Sequence, residues 1–162
     1  MIATVMIPEE RKSVLIGKDR RVKKQLEEKT KTKVTVEFDV SIEGESLDVL
    51  KAQQIVKAIG RGFSPEKAFL LLDDEYQLNV ISLSGETPNT IKRLFARVIG
   101  RQGKTRRKIE QCTSALISVY GKTVSIIGKS SDLGVATRAI EQLLEGRSHG
   151  YVYKRLEYGK KS

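Results

Sequence analysis

Residues 100–103 read Gly-Arg-Gln-Gly between two segments of helical character, inside the run 92–108, KRLFARVIGRQGKTRRK, which holds eight Lys or Arg and no Asp or Glu. A glycine at each end of so short a turn removes two Cβ atoms. Backbone N–H groups can then point outward, and a polyanionic backbone can pass almost against the peptide. The helix that begins at Gly103 adds the positive end of its dipole. Arg101, Lys104, Arg106, Arg107 and Lys108 supply mobile charge, of which a helix turns about three at once toward one strand. Gln102 completes the turn, and Ile99 and Ile109 offer an apolar floor for a groove beside it. This chemistry is the capture of a phosphodiester chain. The plainer alternative is an ordinary helix-to-helix turn, against which the flanking charge argues.

Bond-breaking chemistry finds less support. Asp73, Asp74 and Glu75 are consecutive, so their side chains diverge and read as a solvated linker rather than a magnesium site. GKTRRK and GKTVS lack the upstream glycine of a nucleotide-binding phosphate loop. Cys112 and His149 are the only residues of their types, too few for a disulfide or a structural zinc site. Cys112 reads as a buried thiol and His149 as a loop or surface histidine. No enzyme, metal or cofactor is expected.

Composition sets the setting of these residues. The 162 residues are 39% hydrophobic and 31% charged with three Pro, a folded chain long enough for one domain or for two of about 75 residues. The net charge of +10 is unevenly placed: residues 1–75 carry 14 basic and 14 acidic side chains, and residues 76–162 carry 16 basic and 6 acidic. Such a field attracts polyanions. No run reaches the roughly 18 apolar residues of a membrane helix, and the opening MIATVMIPEERK has no basic leader. A cytoplasmic protein with no membrane partner is expected.

An internal repeat organises the elements. Shifted by 83 places, VLIGKDRRVKKQLEEKTKTKVTV (14–36) aligns with RVIGRQGKTRRKIEQCTSALISV (97–119), placing Ile16 on Ile99, Gly17 on Gly100, Leu26 on Ile109 and Val34 on Ile117. Each half reads strand, helix, helix, strand, strand, helix. The first has strands IATVMI, KVTVEF and VSI, and helices to Ile16, over 20–29 and over 47–59. A connecting helix, 64–72, is capped by Ser64 with Pro65 in its first turn. The second half has the strand QLNVISL, a helix capped by Thr87, the helix 103–113, the strands ALISV and TVSII, and a helix over 131–144. Apolar residues at helical and strand spacing predict an α+β fold, each half a three-stranded antiparallel sheet packed against three helices.

The stretch VIGRQGKTRRKIEQCTSALISV, followed by GKTVSIIGKSSDLGVATRAIEQLLEG, resembles a K-homology (KH) domain of type I. The family's Gly-x-x-Gly loop grips about four single-stranded nucleotides while bases lie in an apolar groove. That resemblance implies that Gly100, Arg101, Gln102 and Gly103 are the loop, with Ile99, Ile109 and Ile117 at or just beneath the groove. The first copy departs from it: Gly17-Lys18-Asp19-Arg20 puts arginine at the second glycine and a carboxylate in the phosphate path. Two readings stay open for this copy: a structural or protein-binding module, or auxiliary RNA contact through Lys18, Arg20 and Arg21. Three segments are expected: a first KH module over 1–75, a second over 76–146, and a basic tail over 147–162. In the tail, Tyr151, Tyr153, Tyr158, Lys154 and Arg155 either pack on the last helix or touch RNA, with Lys160, Lys161 and Ser162 frayed.

The pair of modules, the degenerate first loop and the closing GRSHGYVYKRLEYG resemble the KH factors that assist small-subunit ribosomal RNA maturation in archaea and eukaryotes. The resemblance implies a monomeric, non-catalytic protein that binds single-stranded RNA near the 3′ end of small-subunit rRNA, with a PIN-domain endonuclease as partner. Without the long disordered extension of eukaryotic members, the chain resembles the archaeal form. The residues themselves leave two alternatives: a protein-interaction adaptor, and a general single-stranded nucleic-acid binder.

Overall fold

The computed structural model describes residues 1–161, with side chains through Tyr158. The chain divides into two compact units, Met1–Tyr76 and the remainder from Gln77. In the first, β1 (Ile2–Val5), α1 (Glu9–Ile16), α2 (Arg21–Thr30), β2 (Lys33–Val36), β3 (Val40–Glu43) and α3 (Ser46–Gly60) follow in order, then the short α4 (Pro65–Ala68). The second repeats the plan with β4 (Tyr76–Ser82), α5 (Pro88–Ile99), α6 (Lys104–Thr113), β5 (Leu116–Tyr120), β6 (Thr123–Lys129) and α7 (Ser130–Leu144), and adds α8 (His149–Lys161).

Each sheet places its last strand in the middle, in the orders β1-β3-β2 and β4-β6-β5. Val34 stands opposite Ile42 in the first, and Ile117 opposite Ile126 in the second, both pairs antiparallel. From the central strand β6, Val124 and Ile126 enter the core. The core of the second unit forms where the stripe of α7 (Leu133, Ala136, Ile140, Leu143) meets Val98, Ile109, Ile117, Val124 and Ile126. The repeat extends to polar contacts: Glu27 accepts the Val34 N–H and Glu110 the Ile117 N–H, each at 2.9 Å.

The caps read from sequence are in place. Ser64 Oγ accepts from the Lys67 N–H at 3.3 Å and Thr87 Oγ1 from the Thr90 N–H at 3.2 Å, each with proline next in sequence. The connecting segment differs from expectation: beyond Ala68 it tightens into a 3-10 turn, Phe69–Leu72. Consecutive apolar residues cannot share one α-helical face, and a repeat of three brings Ala68 and Leu71 to the buried side together.

At the end of the chain the described residues follow the packing reading: they form a helix, α8, which packs on α6 as well as on α7. Val152 and Leu156, four apart, are 0% and 3% exposed in the second unit's core, so the segment buries an apolar stripe. Ser162 and the side chains of Lys160 and Lys161 lie outside the described residues. No helix among the described residues is long and apolar enough to cross a membrane.

Candidate nucleic-acid interface

Helix α5 ends where the Gly100 N–H caps the Ala96 carbonyl at 2.9 Å. Gly100 has φ 73° and ψ 175°, Gln102 φ 54° and ψ 29°, and Gly103 φ 76° and ψ 12°, after which α6 begins. The two glycines serve different purposes. A Cβ on Gly100 would lie 2.1 Å from Thr105 Oγ1 and 2.7 Å from its Cβ and backbone nitrogen, whereas on Gly103 it would meet only the end of Arg107, at 3.1 Å from Nη1. To the expectation that both glycines serve close approach by a ligand, the structure adds a packing reason for one of them. Gly100 is required by the seating of α6, and Gly103 is the one whose outer surface stays open.

The cations around the loop divide in the same way. Arg107 Nη1 donates to the Gln102 carbonyl at 2.7 Å and braces the turn. Arg106 Nε lies 3.8 Å from Glu110 Oε1. Lys108 donates to Glu157 at 3.0 Å, and this hydrogen bond, with the charge beside it, raises the lysine's pKa above its ordinary value. Arg101 and Lys104 are exposed, with no carboxylate within ion-pair distance among the described residues.

Beside the loop, α5 and the β5–β6 turn enclose an open apolar groove of about 530 Å³, lined by Ile91, Phe95, Ile99, Lys92, Gly121 and Lys122 among others. Ile99 is therefore at the groove. Ile109 and Ile117 are 0% and 2% exposed and lie beneath it, where they hold α6 on the sheet and cannot touch a ligand. Ile91 and Phe95, which helical spacing puts on the buried stripe of α5 with Leu94 and Val98, do pack on the core and also line this groove, whereas Lys92 and Lys122 carry no signal in the sequence that places them there. The available signal was the width of the α5 stripe: Leu94 and Val98 form one row, and Ile91, Phe95 and Ile99 form a second whose outer edge lines the groove.

The first module keeps the loop's backbone and changes its surface. Gly17 has φ 77° and ψ 173°, Asp19 φ 55° and ψ 30°, and Arg20 φ 61° and ψ 21°. Arginine thus adopts the left-handed conformation of the second glycine, at a strain of about 1–2 kcal/mol. Gly17 persists because a Cβ there would lie 2.5 Å from Val22 Cγ2. The repeat puts Glu9 for Lys92, Lys12 for Phe95, Phe38 for Gly121 and Asp39 for Lys122. Lys12 is only 13% exposed, pairs with Glu9 at 2.6 Å and stands 5.6 Å from the Phe38 ring. Lys18, Arg20 and Arg21 remain exposed.

Helix α8 is bound to the clamp by polar contacts as well. Tyr153 Oη meets Thr105 Oγ1 at 2.9 Å and His149 Nε2 meets the Arg97 carbonyl at 2.9 Å, so Tyr153 is a packing residue and His149 a half-buried one. Cys112 is half-buried against the same core. Lys154, Arg155, Tyr151 and Tyr158 face solvent, Arg155 donating to Tyr151 Oη at 3.1 Å.

A family model described as a eukaryotic type KH domain (KH-domain type I) matches residues 75–161, and one described as a KH domain matches residues 2–58. The chain belongs to the KH-domain family. The KH domain-containing protein MJ0443 of Methanocaldococcus jannaschii is 46% identical over 96% of this chain and 73% of its own. The pre-rRNA-processing protein pno1 of Aspergillus fumigatus is 35% identical over 65% of this chain, which spans 44% of that longer protein. Among solved structures, Dim2p from Pyrococcus horikoshii OT3 has a TM-score of 0.91 at 44% identity, covering 98% of this chain and 99% of its own. Its complex with a/eIF2alpha and rRNA gives 0.92 at 45% identity, covering 99% and 94%. The KH chain described here shares the fold of the two Dim2p structures over nearly its whole length.

Proposed function

We propose that this KH protein binds single-stranded RNA without cutting it and acts in small ribosomal subunit assembly, at the 3′ region of the small-subunit rRNA during its maturation. The observation that carries this reading is the open left-handed Gly103 next to an apolar groove, within the half of the chain that holds the whole excess positive charge. The relatives named as pre-rRNA-processing proteins, and the rRNA complex of a 45% identical structure, support it. The second module holds the strand. Its loop takes phosphates through Arg101 and Lys104, and its groove takes bases against Ile99 and Phe95. The first module serves as a platform rather than a second clamp, since Arg20, Glu9 and Asp39 replace the residues that make the groove open and positive.

Cleavage falls to a separate PIN-domain endonuclease, and the chain acts as a cytoplasmic monomer. Among the described residues no three His, Cys, Asp or Glu side chains converge as a metal site, and Asp74 is paired with Lys51 at 2.6 Å. Two experiments test the assignment. Sequencing of RNA crosslinked to the protein in its own cells is expected to show enrichment over the 3′ region of small-subunit rRNA; an even spread over messenger RNA would sink it. An RNA carrying the mature 3′ end and its extension is expected to stay intact with this protein alone, with or without magnesium, and to be cut once the endonuclease is added.

The role of the free cations has its own measurement. Each phosphate contact on a single strand contributes about −0.7 to the slope of log affinity against log salt. Changing Arg101 and Lys104 to Gln should therefore make the slope shallower by roughly 1.4, whereas Ile99→Ala should lower affinity with little change in slope. An unchanged slope in the double variant would move the phosphate-binding surface elsewhere.

A further inference from the structure

A cavity of about 370 Å³ opens between α6 and α8, lined by Lys104, Arg107, Lys108, Gln111, Tyr153 and Glu157. The four α6 residues follow at steps of three, one and three, so they form one stripe along the helix. That stripe begins immediately after Gly103, and Arg107 links it to the loop by its bond to the Gln102 carbonyl. Three cations and one carboxylate leave the cavity positive. It is built on α8, which has no counterpart in the first module. Its single acid is held by an exposed pair, Lys108 to Glu157 at 3.0 Å, with side-chain exposures of 36% and 57%. Such a pair is weak in water, and a phosphate can take the carboxylate's place on the lysine.

We propose that this cavity is a second RNA subsite, which takes the backbone of the nucleotides flanking the stretch held by the loop and groove. The proposal rests on the reading of that loop and groove as an RNA clamp. Glu157 occupies Lys108 while the subsite is empty and moves aside when a phosphate arrives. Continuity with the loop favours RNA as the occupant, since a strand leaving Gly103 meets the stripe without crossing an acidic surface. Gln111 and the Tyr153 ring offer an amide and an aromatic edge to a ribose or base.

The test compares RNAs taken from the 3′ region of small-subunit rRNA, one of about four nucleotides and two extended to about eight at either the 5′ or the 3′ end. The full chain is titrated at about 0.15 M salt, where charges more than about 8 Å apart are largely screened. One extended RNA should bind about tenfold tighter than the short one. For that RNA, Glu157→Lys should raise affinity about fivefold and Gln111→Glu lower it about fivefold, each leaving the short RNA within about twofold. Both positions are exposed, so neither variant threatens the fold. No gain from either extension, or equal shifts for short and long RNA, would overturn the proposal. Failure of the short RNA to bind would overturn the clamp; the subsite then stands if an extended RNA still responds to both variants, and falls if it does not.

Discussion

Replacing Gly103 with Asp should weaken binding of a short single-stranded RNA at least about tenfold, roughly 1.4 kcal/mol, while the second module stays folded. The backbone there has φ 76° and ψ 12°, a left-handed conformation that aspartate tolerates better than most residues. A Cβ would meet only the mobile end of Arg107. The fold therefore loses little. The ligand surface loses its closest point of approach, gains a carboxylate facing the phosphates, and has Arg107 drawn toward that carboxylate. Arg20→Asp, at the matching position of the first module, should have a smaller effect, because that loop already carries a side chain at this point. Titration of both variants, with circular dichroism to verify folding, measures the difference. Equal losses would mean that both modules clamp RNA.

Gly100→Ala should instead unfold rather than merely disarm. A φ of 73° with ψ 175° belongs to a region that only glycine occupies comfortably, at a strain of about 1–3 kcal/mol for any other residue. The new methyl would also overlap Thr105 Oγ1 at 2.1 Å, and Thr105 cannot retreat without losing its 2.9 Å contact with Tyr153 and disturbing α8. A destabilisation of about 3 kcal/mol follows, lowering the melting temperature of the second unit by roughly 12–24 °C. Gly17→Ala should harm the first unit comparably through Val22 Cγ2, 2.5 Å away. Thermal denaturation decides the matter. A loss of RNA binding with stability changed by less than about 1 kcal/mol would show that Gly100 is reserved for the ligand and not for the fold.

These two glycines also mark how far the sequence could be read. Both stood out as loop residues, and the retention of Gly17 beside a lost second glycine was visible in the repeat. Its cause was not, since it lies in where the next helix sits. The groove was legible only in part. Ile99 was found from its place before the loop, but Phe95 fell on a helical stripe that packing and groove divide between them, and no local rule says where the division runs.

Charge balance, the shift of 83 places, the caps at Ser64 and Thr87 and the apolar periods were fixed by the chain alone. The caps and apolar periods depend on residues within a few positions of one another, and the charge balance and the repeat on residue types alone, so that no three-dimensional contact is needed to read them. From them came the α+β plan, the element order and the basic loop in the second module. Only the tertiary structure decided that Ile109 and Ile117 are buried under the groove, that Lys12 is itself largely buried beside Phe38, and that the tail is a helix packed on α6 and α7. Each depends on contacts between distant residues. Thr105 meets Tyr153 48 positions away, and the Arg97 guanidinium donates to the Leu143 carbonyl 46 positions away. Which face of α6 sees water is set by the helix that docks on it, and α8 docks because Val152 and Leu156 leave water against a core assembled from five other elements.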